Sequence, residues 1–390
     1  MVRRSRRRCS RDSVRVDLKR RVAALTLVTS FTVAPPQRTE RISVVDAVPL
    51  RLADGARMND ASFCADDAVA VASTRPNRVS VFDTTGRALW SVDVRGDPFS
   101  VTCVNNTVAI IENDDEWELV VYSRGRSVES SRTPLDLPRA STARILGARR
   151  DAWLVEVEAR HTAGGPPIAL VFPERAVRLY RPGVSGFTQW FMKRDSTLRS
   201  VPTTNNAPSR YAIRSPFEAV PYLALLSKGT FAFSRGVGLE VHELDTAGNT
   251  LRTTKLLTGP SKLTRERAES LALAWPLRGS PIAPESLFRR IVASDTQYVG
   301  IALGRFVCSE QSACLVHRRD LDDNPITATG VRSYDAVPHD DRPSARFSVD
   351  SGISLVGWRR NFLVVKRRQG GSDASVSESV MLLRFAPEWK

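Results

Sequence analysis

Four histidines are present in this chain, and their spacing bears on which reactions it can perform. They are His161, His242, His317 and His339. None belongs to an HExxH or HxH motif, so the sequence does not predict a histidine-based zinc site. It also holds no Gly-x-Ser-x-Gly elbow, P-loop or dinucleotide fingerprint, and Gly236-Val-Gly238 is typical of a hairpin turn. We therefore predict no catalytic residue and no resident cofactor.

Clusters of carboxylates keep calcium binding as an alternative, because calcium prefers the oxygens of Asp, Glu and Asn side chains. Three clusters have this composition: residues 112–116, residues 320–324 and residues 339–341. The first lacks the Gly and the spacing of a calcium loop, and all three have the polarity of solvated connections. Solvent-exposed loops are the ordinary interpretation, and calcium is the one cofactor that the sequence leaves open.

Four aromatic residues stand in or beside an irregular stretch of the sequence, residues 187–209. They are Trp190, Phe191, Tyr211 and Phe217. Aromatic side chains exposed together would form a recognition surface, whereas the same residues also pack well between neighbouring sheets. Packing is the more ordinary explanation, and a recognition surface is the alternative.

The cysteines are compatible with two disulfide bonds. Cys308 and Cys314 flank a polar segment between two apolar runs, and this spacing lets a hairpin bring their side chains opposite each other. Cys64 and Cys103 occupy equivalent places in neighbouring repeats, so we expect them to face one another. Cys9 lies in the basic N-terminal segment. Four buried thiols are the alternative, and neither pair has the spacing of a zinc site.

The net charge of +15 is unevenly distributed along the chain. Residues 1–34 hold ten Arg or Lys against two Asp and contribute +8, which leaves +7 for the other 356 residues. A nucleic-acid-binding domain would carry its positive charge on the folded part, interleaved with aromatic residues. We therefore predict no nucleic-acid partner. An electrostatic binder of nucleic acid or membrane would require that residues 1–34 stay attached.

The N-terminal segment has the order of a secretory signal. A basic region ends at Arg21, thirteen mostly apolar residues follow at positions 22–34, and small residues close the segment. Thirteen residues are too few to span a bilayer as a helix, so no stable membrane span is predicted. We predict a signal peptide at residues 1–34, a linker at 35–41, a folded domain at 42–390, and an exported protein that is periplasmic, secreted or on the cell surface. An Arg-rich disordered arm followed by a first strand is the alternative.

A unit of short apolar strands and polar turns recurs from residue 63 to residue 385. Residues 63–71 match residues 102–110 without a gap, and residues 215–220 echo residues 97–101. Repeats of this kind indicate the architecture more reliably than single residues do. We count six units, with the fifth at about residues 288–326 and the sixth at residues 346–385. Three strands are clear in the sixth unit, and a strand at residues 42–50 would supply its fourth.

These repeats predict an all-β fold, a six-bladed β-propeller of four-stranded antiparallel blades closed by an N-terminal strand that joins the last blade. One helix is expected at residues 264–274, where Thr264 caps its start. A pair of β-sandwiches is the rival architecture. It would require a linker near the middle of the chain, where the repeat instead continues.

Residues 79–89 (Val-Ser-Val-Phe-Asp-Thr-Thr-Gly-Arg-Ala-Leu) and their echo at residues 241–251 resemble the secreted bacterial six-bladed β-propellers akin to the NHL-repeat group. The resemblance extends over about residues 42–390. It implies the propeller fold and not one activity, because the wider architecture includes lactonases, lyases and protein-binding modules.

The function expected from these observations is that of an exported, non-catalytic, monomeric propeller. It would bind a protein, a glycan or a small ligand through its loop faces. The alternative is an exported propeller hydrolase or lyase that uses carboxylates at the central axis, with calcium as its metal.

Overall fold

The structure is a computed structural model, and every regular element in the part that it describes is a β-strand. The helix predicted at residues 264–274 lies outside the described residues. Those are residues 31–32, 41–42, 44–64, 66–104, 106–138, 141–149, 152–163, 170–194, 199–202, 210–213, 222–226, 229–234, 240–256, 301–308, 313–320, 331–338, 345–350, 352–369 and 377–385.

Six four-stranded antiparallel sheets form a ring, which confirms the six-bladed β-propeller. In blades 1 to 5 the strands pair in chain order, and the first strand of each blade is called its inner strand. Blade 1 holds Arg57–Phe63, Val69–Thr74, Arg78–Phe82 and Ala88–Asp93; blade 2 holds Asp97–Val104, Thr107–Asn113, Trp117–Ser123 and Glu129–Pro134; blade 3 holds Thr142–Arg149, Ala152–Ala163, Leu170–Tyr180 and Thr188–Arg194. Blade 4 holds Tyr222–Leu225, Phe231–Ser234, Glu240–Leu244 and Thr250–Lys255; blade 5 holds Ile301–Cys308, Ala313–Asp320, Val331–Pro338 and Ala345–Asp350.

Blade 6 combines three strands from residues 353–385 with one strand that precedes blade 1 in the sequence. Its inner strand Ile353–Arg359 is followed by Phe362–Gln369 and Ser377–Phe385, and the last of these pairs antiparallel with Val44–Leu50. Pro49 is tolerated in Val44–Leu50 because that strand lies at the sheet edge, where one side needs no ladder hydrogen bond.

Two short ladders lie outside the blades. Phe31–Thr32 pairs with Arg41–Ile42, and Arg199–Pro202 pairs with Arg210–Ile213 in the connection between blades 3 and 4.

The hydrophobic core is divided among the seams between blades. Within the described residues, six apolar clusters are found, and each is shared by two neighbouring blades. At the seam of blades 1 and 2, for example, Val79 and Val81 pack with Val108 and Ile110, all fully buried. Alternating residues of a strand face opposite sides of its sheet, so each blade contributes one apolar set to each seam.

The repeated Asp-x-x-Gly pattern forms the turn before the outer strand in blades 1 and 4. The carboxylate of Asp83 accepts the backbone N–H groups of Thr85 and Arg87, and Asp245 accepts those of Ala247 and Asn249 in the same way. Gly86 and Gly248 complete these turns at φ of 81° and 87°, where a side chain would be strained.

Two boundaries differ from the sequence prediction. The inner strand of blade 1, Arg57–Phe63, lies before the first predicted unit, since its polar residues hide the strand pattern. Ala345–Asp350 closes blade 5 by pairing with Val331–Pro338, so blade 6 begins at Ile353 and not at residue 346. Blade 5 has no Gly turn in its described part, and the missing signal shifted the predicted boundary.

Candidate functional site at the mouth of the central channel

The six inner strands surround a cavity of about 400 Å³ on the axis of the ring. Apolar residues such as Val101, Ile145 and Leu225 contribute to its lining, and the charged lining residues are Asp60, Arg144 and Arg359. Because all inner strands run in the same direction along the axis, the channel has two distinct ends. The end where the inner strands begin is called the loop end, and the opposite end is called the hairpin end.

Asp60 bonds its own blade to the next one. Its Oδ2 atom accepts the hydroxyl of Ser100 at 2.9 Å and the backbone N–H of Val101 at 3.2 Å. The Ser100 hydroxyl oxygen in turn accepts the backbone N–H of Ile145 at 3.1 Å. The side chain of Asp60 is 4% exposed, so this chain of bonds is dry and connects the inner strands of blades 1, 2 and 3.

The two arginines of the channel also connect neighbouring blades. Arg144 Nη2 donates to Glu156 Oε2 at 2.6 Å and to the carbonyl oxygen of Leu223, in blade 4, at 2.7 Å. Arg359 of blade 6 donates from Nη1 to the carbonyl oxygen of Cys64 in blade 1 at 2.5 Å. Each charged residue of the channel thus satisfies a buried group across a seam.

A second cavity of about 280 Å³, the mouth pocket, opens at the loop end of the channel. Asp60 and Arg144 line both cavities, so the mouth pocket adjoins the channel. Its other lining side chains are those of Phe99, Thr142, Ala143, Glu156, Glu158 and Tyr222. Blades 1, 2, 3 and 4 each contribute, because the pocket lies where their inner strands begin.

A β-bulge places Phe99 at this pocket. The register of the first two strands of blade 2 shifts between Pro98 and Ser100, and blade 1 has the same shift between Met58 and Asp60. A bulge leaves the extra residue unpaired and turns its side chain away from the regular alternation. Phe99 is 41% exposed, and its ring lies 4.7 Å from the ring of the buried Trp117. The bulge therefore exposes an aromatic face at the mouth, and Trp117 packs against the ring from within the blade.

Blade 3 projects beyond the other inner strands beside this mouth. Its inner strand starts with Thr142 opposite Glu158, but the second strand continues to Ala163, which pairs with Leu170. The extension, called the projecting hairpin, is five residues long and reaches roughly 16 Å past the inner strand. The strand Arg210–Ile213 of the small sheet also contacts Leu170–Tyr180. Among the described residues, those of blade 3 and of the connection to blade 4 thus extend the loop end.

The hairpin end carries the predicted cysteine pairs. The structure joins Cys64 to Cys103, across the seam between blades 1 and 2, and Cys308 to Cys314 within the first hairpin of blade 5. The turn after Cys64 holds two further charges. Arg124 of blade 2 pairs with Asp66 at 2.6 Å, and Arg360 of blade 6 pairs with Asp67 at 2.7 Å. Burial raises the pKa of Asp66, but the hydrogen bond and the charge of Arg124 outweigh it, so that pKa is lowered.

The cluster at residues 112–116, which the sequence leaves open for calcium, begins with a carboxylate that neighbouring groups bind. Glu112 is 1% exposed, and its Oε1 atom pairs with Arg132 at 2.6 Å while its Oε2 atom accepts the N–H of Gly96 at 3.3 Å. Arg132 also binds Glu118 and Glu129. Burial lowers the pKa of Arg132, yet its carboxylate partners raise it further, so the net shift is upward. Both oxygens of Glu112 are therefore engaged within the protein.

Several other predicted residues lie in or near undescribed segments. Residues 321–324, residues 339–341 and Phe217 fall outside the described part. Asp320, His161, Trp190, Phe191 and Tyr211 lie in strands whose backbone alone is described at these positions.

The two histidines whose side chains are described are not brought together. The Nδ1 atom of His242 lies 3.0 Å from the hydroxyl of Thr253, and the ring of His317 lies 5.1 Å from the ring of Tyr334.

None of the residues that line the mouth pocket was predicted from the sequence to belong to a functional site. The available signal was the polar residue within each first strand, such as Asp60 in Arg57–Phe63 and Arg144 in Thr142–Arg149. A charged side chain in an otherwise half-buried strand marks a position that faces an axis or a partner. Recognising it required the inner strand of each blade to be identified first.

Among the described residues there is no group of three or more His, Cys, Asp or Glu residues that could hold a metal ion. The described part also contains no helix that is long and apolar enough to cross a membrane.

The fold and the axial site define a β-propeller, and comparisons with known proteins agree. No protein-family model and no curated protein matches the sequence. A solved structure of a member of the DUF4221 family from Bacteroides vulgatus is similar at 7% identity and a TM-score of 0.52, over 91% of this chain and 98% of that chain. At that identity the likeness shows the fold alone.

Two other solved structures are more loosely similar. The calcium-binding protein regucalcin from Agrobacterium tumefaciens matches at 13% identity and a TM-score of 0.43, over 89% of this chain and 96% of that chain. Virginiamycin B lyase from Staphylococcus aureus matches at 9% identity and a TM-score of 0.41, over 87% of this chain and 98% of that chain. The likeness to the DUF4221 structure and the ring of six four-stranded sheets confirm, for the fold, the resemblance noted from the sequence.

Proposed function

We propose that this chain is an exported, non-catalytic β-propeller that binds a ligand at its loop end, over the mouth pocket. The observation that carries the proposal is the projecting hairpin of blade 3, which extends beside a pocket formed by four blades. Ligand sites are concave, mostly preformed, and framed by segments that extend from a rigid scaffold.

Chain connectivity supports the choice of this end. In each blade the outer strand leads to the next inner strand at the loop end, because antiparallel neighbours alternate in direction. The two longest connections between blades, residues 195–221 and residues 256–300, both leave there. Natural propellers vary function through such connections while the blades stay constant.

The bonding of the channel charges supports a binding role over catalysis. A catalytic acid or base needs its proton site directed at the substrate. Asp60 instead uses Oδ2 to accept two donors of blade 2, and Arg144 and Arg359 are committed to backbone carbonyls. These groups hold the ring together, which leaves the pocket wall as the recognition surface.

Export is proposed from the order of the basic and apolar regions in residues 1–34 and from the two cysteine pairs at the hairpin end. Disulfides persist in oxidising compartments and are rare in the reducing cytosol. N-terminal sequencing and thiol counting of the protein recovered from a bacterial host test this part. A mature start near residue 35 with no free thiol is expected, whereas an intact N-terminus with five free thiols, that of Cys9 included, contradicts export.

Ligand binding is tested by thermal melting of the full chain with panels of glycans, peptides and calcium, since a ligand of the folded state raises the melting temperature by mass action. A variant in which residues 160–173 are replaced by an Asn-Gly turn removes the projecting hairpin. We expect ligand-induced stabilisation of the parent chain and its loss in this variant. A ligand that stabilises both chains equally would place binding elsewhere, and stabilisation by calcium alone would favour the hydrolase or lyase alternative.

A further inference from the structure

We infer that the mouth pocket binds one saccharide ring, stacked on Phe99 and hydrogen-bonded by the ion pair of Arg144 and Glu156. This inference rests on the proposed function and adds the chemical class of the ligand. It combines an exposed aromatic face, a paired set of polar groups and a cavity of limited size.

The aromatic face comes from blade 2. Phe99 is 41% exposed although it lies in a strand, and Trp117 packs against it with the ring planes inclined at 52°. The C–H groups on one face of a pyranose ring are apolar, and covering them with an aromatic ring removes both surfaces from water. Tyr222 lines the same pocket from blade 4 and adds a phenol that both donates and accepts hydrogen bonds.

The polar groups come from blade 3. Arg144 and Glu156 face each other across the first two strands, with Nη2 and Oε2 2.6 Å apart. A guanidinium has five N–H donors in one plane, and a carboxylate accepts through about four lone pairs. Placed side by side, they offer adjacent donors and acceptors, and neighbouring sugar hydroxyls need both.

The charged groups of the pocket are engaged within the protein, which favours a neutral ligand. Arg144 is bonded to Glu156, the carboxylate of Asp60 is bonded to donors of blade 2, and Glu158, the remaining charged residue of the lining, is not free either. A cation or an anion would have to compete with these bonds, whereas a hydroxyl can add to them without displacing a charge. A polyol is therefore the best match to groups that are already paired.

The size of the pocket sets the length of the ligand. Its volume of about 280 Å³ is slightly below the roughly 300–1,000 Å³ of pockets that hold drug-sized ligands. One sugar ring suits this space, and further rings of an oligosaccharide would extend along the projecting hairpin.

Saturation-transfer NMR with the full chain tests the inference. The probes are methyl glycosides of glucose, galactose and N-acetylglucosamine, with choline as a cationic probe and benzoate as an anionic one. We expect transfer to the ring C–H protons of at least one glycoside, with affinity at least tenfold weaker in Phe99→Ala. Leu89→Ala is the matched control, since Leu89 is 43% exposed but lies in the outer strand of blade 1. Its affinity should equal that of the parent chain.

Tyr222→Phe provides a second variant that removes a single hydroxyl. A several-fold weaker glycoside affinity at an unchanged melting temperature would support direct contact with the sugar. Equal affinities in the parent, Phe99→Ala and Tyr222→Phe would overturn the inference.

The outcomes also separate this inference from the proposed function. If choline or benzoate binds, its binding is weakened by Phe99→Ala, and the glycosides show no saturation transfer, then the sugar class is wrong and the pocket remains a ligand site. If no probe binds but a protein partner is lost on shortening the projecting hairpin, the sugar class is again wrong and the binding function stands. If removal of the hairpin changes no binding at all, the proposed function fails together with the inference.

Discussion

At the scale of single residues, the axis of this propeller is organised by polar groups whose bonds cross from blade to blade. Asp60 is one of these groups, and one of its oxygens accepts two donors of blade 2. A carboxylate that accepts hydrogen bonds from buried donors is stabilising mainly because its removal leaves those donors without an acceptor. Such residues are easily mistaken for catalytic ones, because both kinds are charged and line a cavity.

Asp60→Ala is expected to destabilise the fold by about 1–3 kcal/mol, because the buried hydroxyl of Ser100 and the N–H of Val101 lose their acceptor. Asp60→Asn should cost less, since an amide oxygen still accepts. Urea denaturation measures both, and Asp97→Ala is the control because Asp97 is exposed in the inner strand of blade 2. Equal losses for Asp60→Ala and Asp97→Ala would show that the bonds between blades contribute nothing.

The burial of Tyr122 predicts how the free energy of unfolding changes at alkaline pH. Burial, together with the charges of Glu112 and Glu129, raises the pKa of its phenol to about 12 from an unfolded value of 10.0. The unfolded chain therefore ionises first, and the contribution to stability is complete below pH 10 and lost as the pH rises towards 12. Tyr122→Phe should remove up to ~1.4 kcal/mol per pH unit from the slope of unfolding free energy in this window. Denaturation curves at several alkaline pH values that showed the same slope for both proteins would contradict this.

At the scale of elements, the turns and the outer strands fit each other closely. The Asp-x-x-Gly turn of blade 1 packs on the outer strand of blade 6, where a Cβ atom at Gly86 would lie 2.7 Å from Val48 and 2.8 Å from the carbonyl oxygen of Pro49. The glycine is required here twice, by its positive φ and by this contact.

Gly86→Ala is therefore expected to cost more stability than Gly55→Ala. Both glycines have positive φ, 81° and 74°, but no atom lies within 4 Å of a Cβ at Gly55. Gly55→Ala should cost only the backbone strain of about 1–2 kcal/mol, and Gly86→Ala that amount plus the displacement of Val44–Leu50. Thermal melts of the two variants make the comparison, and indistinguishable melting temperatures would mean that the outer strand shifts without cost.

The strands of the blades could be predicted from the sequence more easily than the mouth pocket. Strands with clear alternation and an Asp-x-x-Gly turn, such as Glu240–Leu244, were predicted within one residue. The inner strand Arg57–Phe63 was missed, because its polar residues Asn59, Asp60 and Ser62 interrupt the apolar alternation by which a strand is recognised. The mouth pocket could not be predicted at all, since Phe99 and Tyr222 are brought together by the ring and not by sequence spacing.

At the scale of the whole molecule, each blade depends on the seams that it shares with two neighbours. The turn after Cys64 is held from both sides, by Arg359 and Arg360 of blade 6 and by Cys103 and Arg124 of blade 2. A bond at this turn constrains the relation of blades, whereas a bond inside one hairpin constrains only that hairpin.

Removing the Cys64–Cys103 bond should therefore cost more than removing the Cys308–Cys314 bond. The sequence separations are 39 and 6 residues, and chain entropy assigns about 4 and about 2 kcal/mol to loops of these lengths. Urea denaturation of the double variants Cys64→Ala with Cys103→Ala, and Cys308→Ala with Cys314→Ala, measures the two losses. Repeating the experiment in reducing agent is the control, because the parent chain should then lose both contributions. A larger loss for the Cys308 pair would contradict the argument.

The pairing of Val44–Leu50 with Ser377–Phe385 has a consequence for synthesis on the ribosome. The first of these strands is synthesised before all of blades 1 to 5, and its partner is synthesised after them. Until then the apolar side chains of the last seam, including Leu50 and Met58, have no partners from blade 6. The seam between blades 6 and 1 can therefore be completed only after Ser377–Phe385 has been translated, although Val44–Leu50 is made long before it.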